Sequence, residues 1–248
     1  MSSTKEISKR QARREQIRRK EQRGRIIGIG LITIGAIFVA FLFIYPSFKP
    51  AKEVSTPEPH SYKQVDKTSQ GDPKAPVKID VYEDYQCPAC SKFSEDIEPL
   101  IIKDLVETGK VFYTFHDYPF IDGPGADNGG ESDQSANAAM CAAEQGKFWE
   151  MHGTIYANWN GENLGAYSDK RLRAFAETVG LDMDVYDSCF NANKYQKDIQ
   201  ADFDTGTELG VNGTPSVFVN GKILDPGYVP SYENIAAAVE AALTGSGN

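Results

Sequence analysis

The sequence predicts an α/β domain, a mixed sheet flanked by helices and enlarged by a helical insertion, preceded by one transmembrane helix. Three observations carry that expectation. Apolar β-branched runs alternate with helical spacing in the order strand, helix, strand, long helical stretch, hairpin, helix. That order builds a crossover-linked strand pair and then adds an antiparallel arm. A twenty-residue segment, 26–45, carries no charge. The charge of the chain also reverses across it: residues 1–25 hold ten Lys or Arg against three Glu, a local +7, whereas the 248 residues together stand at −9, leaving −16 for the remainder. Such a reversal marks two environments.

Composition narrows the class. A hydrophobic content of 40% and a charged content of 25% exclude wholesale disorder. Four cysteines in a chain of this length do not make a small disulfide-stapled scaffold.

Residues 1–25 read as a basic cytoplasmic tail. As a helix, 26–45 (IIGIGLITIGAIFVAFLFIY) reaches roughly 30 Å, the thickness of a bilayer core. The basic cluster before it predicts the N-terminus inside and the remainder outside. A cleavable signal peptide is the rival reading. Its apolar region would be shorter, about 7–15 residues, and would end at a small-x-small site, whereas this one exits through Pro46-Ser47-Phe48-Lys49-Pro50. The basic run beside a membrane span is a topology determinant rather than a nucleic-acid patch. Gly28-Ile29-Gly30 lacks the preceding strand that a dinucleotide loop needs. Residues 46–59, with Pro46, Pro50, Pro57 and Pro59, read as an extended spacer, which leaves 60–248 as the folded, extracytoplasmic unit.

Within that unit Val77–Glu83 is the first strand and residues 91–107 the first helix, kinked at Pro99. Lys110–His116 is the second strand, and a glycine-rich loop follows over 123–130. From Glu131 to about Leu209 the pattern is helical throughout, with Ser168 a cap for a helix ending at Gly180 and Gly210 closing the last one. Ser216–Val219 and Lys222–Asp225 flank the hairpin signal Asn220-Gly221, and Ser231–Leu243 is a closing amphipathic helix.

The chemistry concentrates at Cys87-Pro88-Ala89-Cys90, which follows a strand and opens a helix. Cys87 then sits at the positive end of the helix dipole, among N–H groups without intrahelical partners. Thiols placed so fall from a pKa of about 8.5 into the range of about 3.5–7.5 and become nucleophiles at neutral pH. Pro88 loses no hydrogen bond in the first turn, and Cys90, one turn on, can close a disulfide. Zinc is the competing use of such a pair. Cys141 and Cys189 stand singly, however, and no His lies at ligand spacing, so no metal site is expected. Pro215, in Gly213-Thr214-Pro215-Ser216, suits a strand start or a cis peptide in a tight turn.

With those residues in view, a resemblance emerges. The segments Gly71-Asp72-Pro73, Ala75-Pro76-Val77, Asp84–Cys90, Glu144–Trp149 and Gly210–Pro215 resemble, in family order, the DsbA-like thiol–disulfide oxidoreductases of the thioredoxin superfamily. The likeness spans roughly residues 60–245 and includes the helical insert. It implies a thioredoxin-like fold, with Cys87 as the attacking sulfur and Cys90 as its partner. It also implies a cis Pro215 beside the disulfide and a Thr214 backbone offered to an extended substrate, which is recognition by strand addition. A structural Cys141–Cys189 disulfide in the insert follows too, worth on the order of 3–4 kcal/mol by loop entropy. No cofactor is implied.

The implied activity is oxidation of cysteine pairs in exported proteins, with reoxidation by a membrane quinone reductase of the DsbB or VKOR type. Reductase or isomerase work, and a metal-binding module, are the alternatives. Ala89 stands where the strongest oxidants of the family carry His, so a moderate oxidant is expected. In relatives a buried acid often lies six residues before the first Cys. That position is Val81 here, with Asp80 and Glu83 nearby. Alternation puts Glu83 on Val81's face, and Glu83 is therefore the candidate proton acceptor, against the plainer reading of both acids as solvated surface groups. Phe148, Trp149, His152, Tyr156 and Trp159 read as helical core, and His116 as a hydrogen-bonding rather than a catalytic residue.

Overall fold

The computed structural model describes residues 65–124, 129–225 and 229–245, together with 53–57 and scattered positions between 18 and 41. Two compact units meet at Pro50, Met1–Pro50 and Ala51–Asn248. In the first, Gly28, Gly30, Leu31, residues 33–39 and Phe41 are helical. The rest of the expected span 26–45, most of the basic tail and most of the spacer lie outside the described residues. Among the described residues no helix is long and apolar enough to cross a membrane.

The second unit is built on a six-stranded sheet. Its strands are β1 (Val65–Asp66), β2 (Ser69–Gln70), β3 (Val77–Glu83), β4 (Val111–Asp117), β5 (Ser216–Val219) and β6 (Lys222–Ile223), in spatial order β1-β2-β4-β3-β5-β6. β3 is central, parallel to β4 with Val81 opposite Phe115, and antiparallel to β5 with Val81 opposite Val217. That position explains its composition: Val77, Ile79 and Val81 are fully buried on one face while Tyr82 is buried on the other. β1 and β2 have no counterpart in the sequence reading. At two residues each, they lie below the length at which alternation can be read.

The first helix divides into α1 (Pro88–Asp96) and α2 (Glu98–Ile101), continued by a π-helical turn over Ile102–Val106. The break falls at Ile97, whose N–H still reaches the Phe93 carbonyl, with Pro99 in the first turn of α2. The insert holds α3 (Glu131–Ala143), α4 (Phe148–Ala157), α5 (Asp169–Val179), α6 (Met183–Asn191) and α7 (Gln196–Glu208). It is not helical throughout: residues 158–167 form an irregular loop between α4 and α5. Gly180 ends α5 in a left-handed conformation at φ 79°. Ser168 occupies the cap position of α5 without capping, because its hydroxyl turns back to the Gly165 carbonyl at 3.5 Å. The closing helix α8 (Tyr232–Leu243) starts at Ser231, whose hydroxyl accepts from the Asn234 N–H. In the hairpin, Asn220 (φ 47°) and Gly221 (φ 76°) make the turn. The returning strand stops at Ile223, sooner than expected, because Asp225 also turns left-handed at φ 41°.

The core lies on both faces of the sheet. On one, α4 lays Phe148 and Trp149 against Phe115 and Tyr113, at ring separations of 5.5 and 5.8 Å. On the other, α7 approaches so closely that a Cβ on Gly206 would stand 2.9 Å from both Tyr82 and Tyr118. Cys141 of α3 and Cys189 of α6 are joined by a disulfide, their Cα atoms 5.8 Å apart. Residues 53–57, from the expected spacer, touch this unit. Ser55 exchanges backbone hydrogen bonds with the Asn158 side chain, N–H to Oδ1 at 3.1 Å and Nδ2 to O at 2.7 Å.

Candidate active site

The loop leaving β3 is tied down residue by residue. The Asp84 carboxylate accepts from the Gln86 N–H at 2.8 Å and the Ile121 N–H at 3.0 Å, and its carbonyl accepts from the Cys87 N–H at 3.0 Å. Burial raises the Asp84 carboxyl to about 6, against the pull of those donors. The Gln86 side chain, wholly buried, bonds Ser132 and the Asn163 N–H, while its carbonyl takes the Trp159 indole N–H at 2.8 Å. Tyr85 points into the core. This bracing delivers Cys87 to the N-cap of α1, with Pro88 the first residue of the helix.

Cys87 is 5% exposed and Cys90 0%, so the first sulfur is the one that can be reached. Both are thiols. Cys87 is lowered to about 6, first by the hydrogen bond from the Cys90 thiol, against burial, with help from Thr214 and from the Cys90 and Ala89 amides at the helix start. Cys90 moves the opposite way, pushed well up by burial, by its bond to Cys87 and by the charge of Glu83. One sulfur is a thiolate at neutral pH while its neighbour keeps its proton.

Thr214 and Pro215 meet this pair from β5. The Cys87 sulfur lies 3.4 Å from the Thr214 carbonyl, and the Thr214–Pro215 peptide is cis. Extending the β3–β5 register sets Pro215 opposite Glu83.

Glu83 corrects the plainer reading of the strand's acids. It is 1% exposed, not a solvated surface group, because β3 ends beneath α1 and α4 and Tyr156 covers it. Its carboxyl is pushed well up by burial, by Glu98 and by Cys87, against a hydrogen bond from Tyr156 at 2.7 Å. Asp80 faces the other way, half-buried, with the His116 imidazole 3.1 Å from it and His116 in turn 3.3 Å from Asp202. Burial opposes the charge on His116, but hydrogen bonds to Asp202 and Asp80 raise it to about 9. His116 is thus a clamp between β3, β4 and α7, away from the sulfurs.

Sequence reasoning placed His152 and Tyr156 in the core, where they are, and overlooked their polar partners. His152 meets Tyr85 through Nδ1 and Glu98 through Nε2, each at 3.1 Å, and Tyr113 donates to Glu98 at 2.9 Å. Glu98 stands in an acidic, outwardly ordinary stretch, and nothing in its spacing announces burial. Among the described residues no three His, Cys, Asp or Glu are grouped to hold a metal ion.

Known proteins share this arrangement of elements. A family model described as Thioredoxin matches residues 63–241. The chain is 24% identical over 224 residues to a probable disulfide bond formation protein D of Bacillus anthracis, covering 88% of this chain and 97% of that one. Against the protein of the same description from Bacillus cereus it is 27% identical over 164 residues, 64% of this chain and 73% of that one. The crystal structure of oxidised BdbD from Bacillus subtilis superposes with a TM-score of 0.64 at 20% identity, covering 78% of this chain and all of that one. At such identity this last likeness is one of fold.

Proposed function

We infer the function from one premise: the chain belongs to the thioredoxin family. It is a thiol–disulfide oxidoreductase that oxidises cysteine pairs of proteins outside the cytoplasm, a reading supported by its likeness to probable disulfide bond formation proteins. The observation that carries this reading is the asymmetry of the pair, a reachable Cys87 thiolate at a helix start above a buried, protonated Cys90. Stabilising the thiolate stabilises the reduced enzyme, which makes the disulfide an oxidant.

In the oxidising direction a substrate thiolate attacks the Cys87 sulfur of the Cys87–Cys90 disulfide. Cys90 leaves with the electron pair and takes up a proton. A second substrate thiolate then attacks the substrate sulfur of the mixed disulfide, releasing Cys87 as the thiolate its surroundings favour. Pro88 and Ala89 shape the turn between the sulfurs. The Thr214–Pro215 edge receives the substrate backbone as an added strand, a mode indifferent to side-chain identity. Glu83 is the group that exchanges the proton with Cys90; its raised proton affinity and its charge effect on Cys90 support that role.

The remaining parts follow from the sequence. Residues 26–45 anchor the chain in the membrane with the N-terminus inside, and a DsbB- or VKOR-type membrane protein restores the disulfide. Equilibration of the full chain with glutathione tests direction. An oxidase has a potential well above the roughly −270 mV of thioredoxin, and a value near that figure would overturn the assignment.

A further inference from the structure

Two buried carboxyls near the sulfurs differ in how they are held. Glu98 is 7% exposed; its oxygens accept from Tyr113 at 2.9 Å and Ser94 at 3.3 Å, and one stands 3.1 Å from His152 Nε2. The Tyr85 hydroxyl faces the other ring nitrogen of His152, Nδ1, at 3.1 Å. Glu83 has one oxygen bonded by Tyr156, and its other oxygen has no hydrogen-bond partner. A carboxyl that accepts from two hydroxyls and faces an imidazole nitrogen sits in surroundings that suit negative charge. One buried with a bare oxygen is arranged as an acid that keeps its proton.

The two residues belong to one layer. Tyr156 on Glu83 and His152 on Glu98 pack ring to ring at 5.0 Å, and Tyr85 touches both. Glu98 is, after burial, the largest influence raising the proton affinity of Glu83. The other ionisable groups around the pair are Cys87 and Cys90 from α1, Asp84 and Tyr85 beyond β3, and Tyr113 and Asp117 from β4. Glu98, His152 and Tyr156 also line a cavity of about 800 Å³, together with Ser91, Ser94 and Gln70.

We propose that Glu98 is a positioning residue for the redox step: its negative charge keeps Glu83 in the acid form that protonates Cys90 as the active disulfide opens. The proposal rests on Glu83 being the proton donor. When the substrate thiolate forms its bond to Cys87, the Cys87–Cys90 bond breaks and Cys90 takes the electron pair. The Glu83 proton passes to the Cys90 sulfur and leaves Glu83 as a carboxylate beside Glu98. Two such anions repel, so Glu83 regains a proton from water in the cavity that Glu98 lines. The pair therefore resets itself once per turnover.

Infrared titration of the oxidised full chain in H2O and D2O tests this through the band of a protonated carboxylic acid. Wild type should show a band at neutral pH that Glu83→Gln removes. Glu98→Gln should lower its titration midpoint by at least about one pH unit, a tenfold loss of proton affinity, and Glu98→Asp, which keeps the charge, should restore most of it. If Glu98→Gln does not fold, Glu98→Met takes its place; it also removes the charge and should lower the midpoint in the same direction. An unchanged midpoint in the variant that folds overturns the role of Glu98. Absence of any Glu83-dependent band in wild type overturns the Glu83 reading instead.

Discussion

Cys87 owes its reactivity to neighbours rather than to its own nature. The Cys90 thiol, Thr214 and the first amides of α1 together outweigh burial and bring it to about 6. Because this lies below the unfolded value, the thiolate stabilises the folded reduced protein most fully above the ordinary thiol pKa, and that contribution disappears as pH falls through about 6. Alkylation of the reduced protein should accordingly follow a single titration of Cys87 with its midpoint near that pH. A midpoint in the ordinary thiol range would show that the Cys90 thiol and the other neighbours do not stabilise the thiolate. At this scale the site was partly legible. Cys87, Cys90 and Pro215 could be read from local patterns, since a strand end, a helix start and a proline leave marks in sequence, whereas Thr214 came only with the family resemblance. Glu98 could not, because its burial comes from Tyr113, Ser94 and His152 on three different elements.

At the level of elements, the long strands and helices were readable because burial imposes a period on them. β3 spans the expected Val77–Glu83, and β4 is displaced by one residue from Lys110–His116 to Val111–Asp117. β1 and β2 escaped, since β2 is ordered by pairing with β4 at Thr114 and Tyr113, and β1 by pairing with β2, rather than by any local preference. The Cys141–Cys189 link joins α3 to α6 across 48 residues, within an insert whose helices are each too short to persist alone. Replacing both cysteines by Ala should lower unfolding free energy by about 4 kcal/mol, read from the urea midpoint. A loss below about 1 kcal/mol would mean that the aromatic contacts of α4 with β4 hold the insert unaided.

For the whole molecule, charge asymmetry remains the strongest statement about placement: a +7 tail, an uncharged stretch and a −16 remainder. If residues 26–45 anchor the chain with the tail inside, Cys87 in reduced right-side-out vesicles should react with a membrane-impermeant maleimide. Labelling confined to inside-out vesicles would refute that orientation, and release of the protein by alkaline carbonate would refute the anchor. Topology of this kind is written in composition alone, which is why it can be read without any packing. The Ser55–Asn158 contact is the opposite case, a join between residues 103 apart that no local pattern signals. It has a mechanical side. Tension carried along residues 53–57 would be shared between Asn158, which bonds Ser55, and the core against which Val54 packs. Asn158 adjoins Trp159, whose indole grips the carbonyl of Gln86, next to the nucleophile. Residues 53–57 are thus fastened a short chain of contacts away from the reacting sulfur.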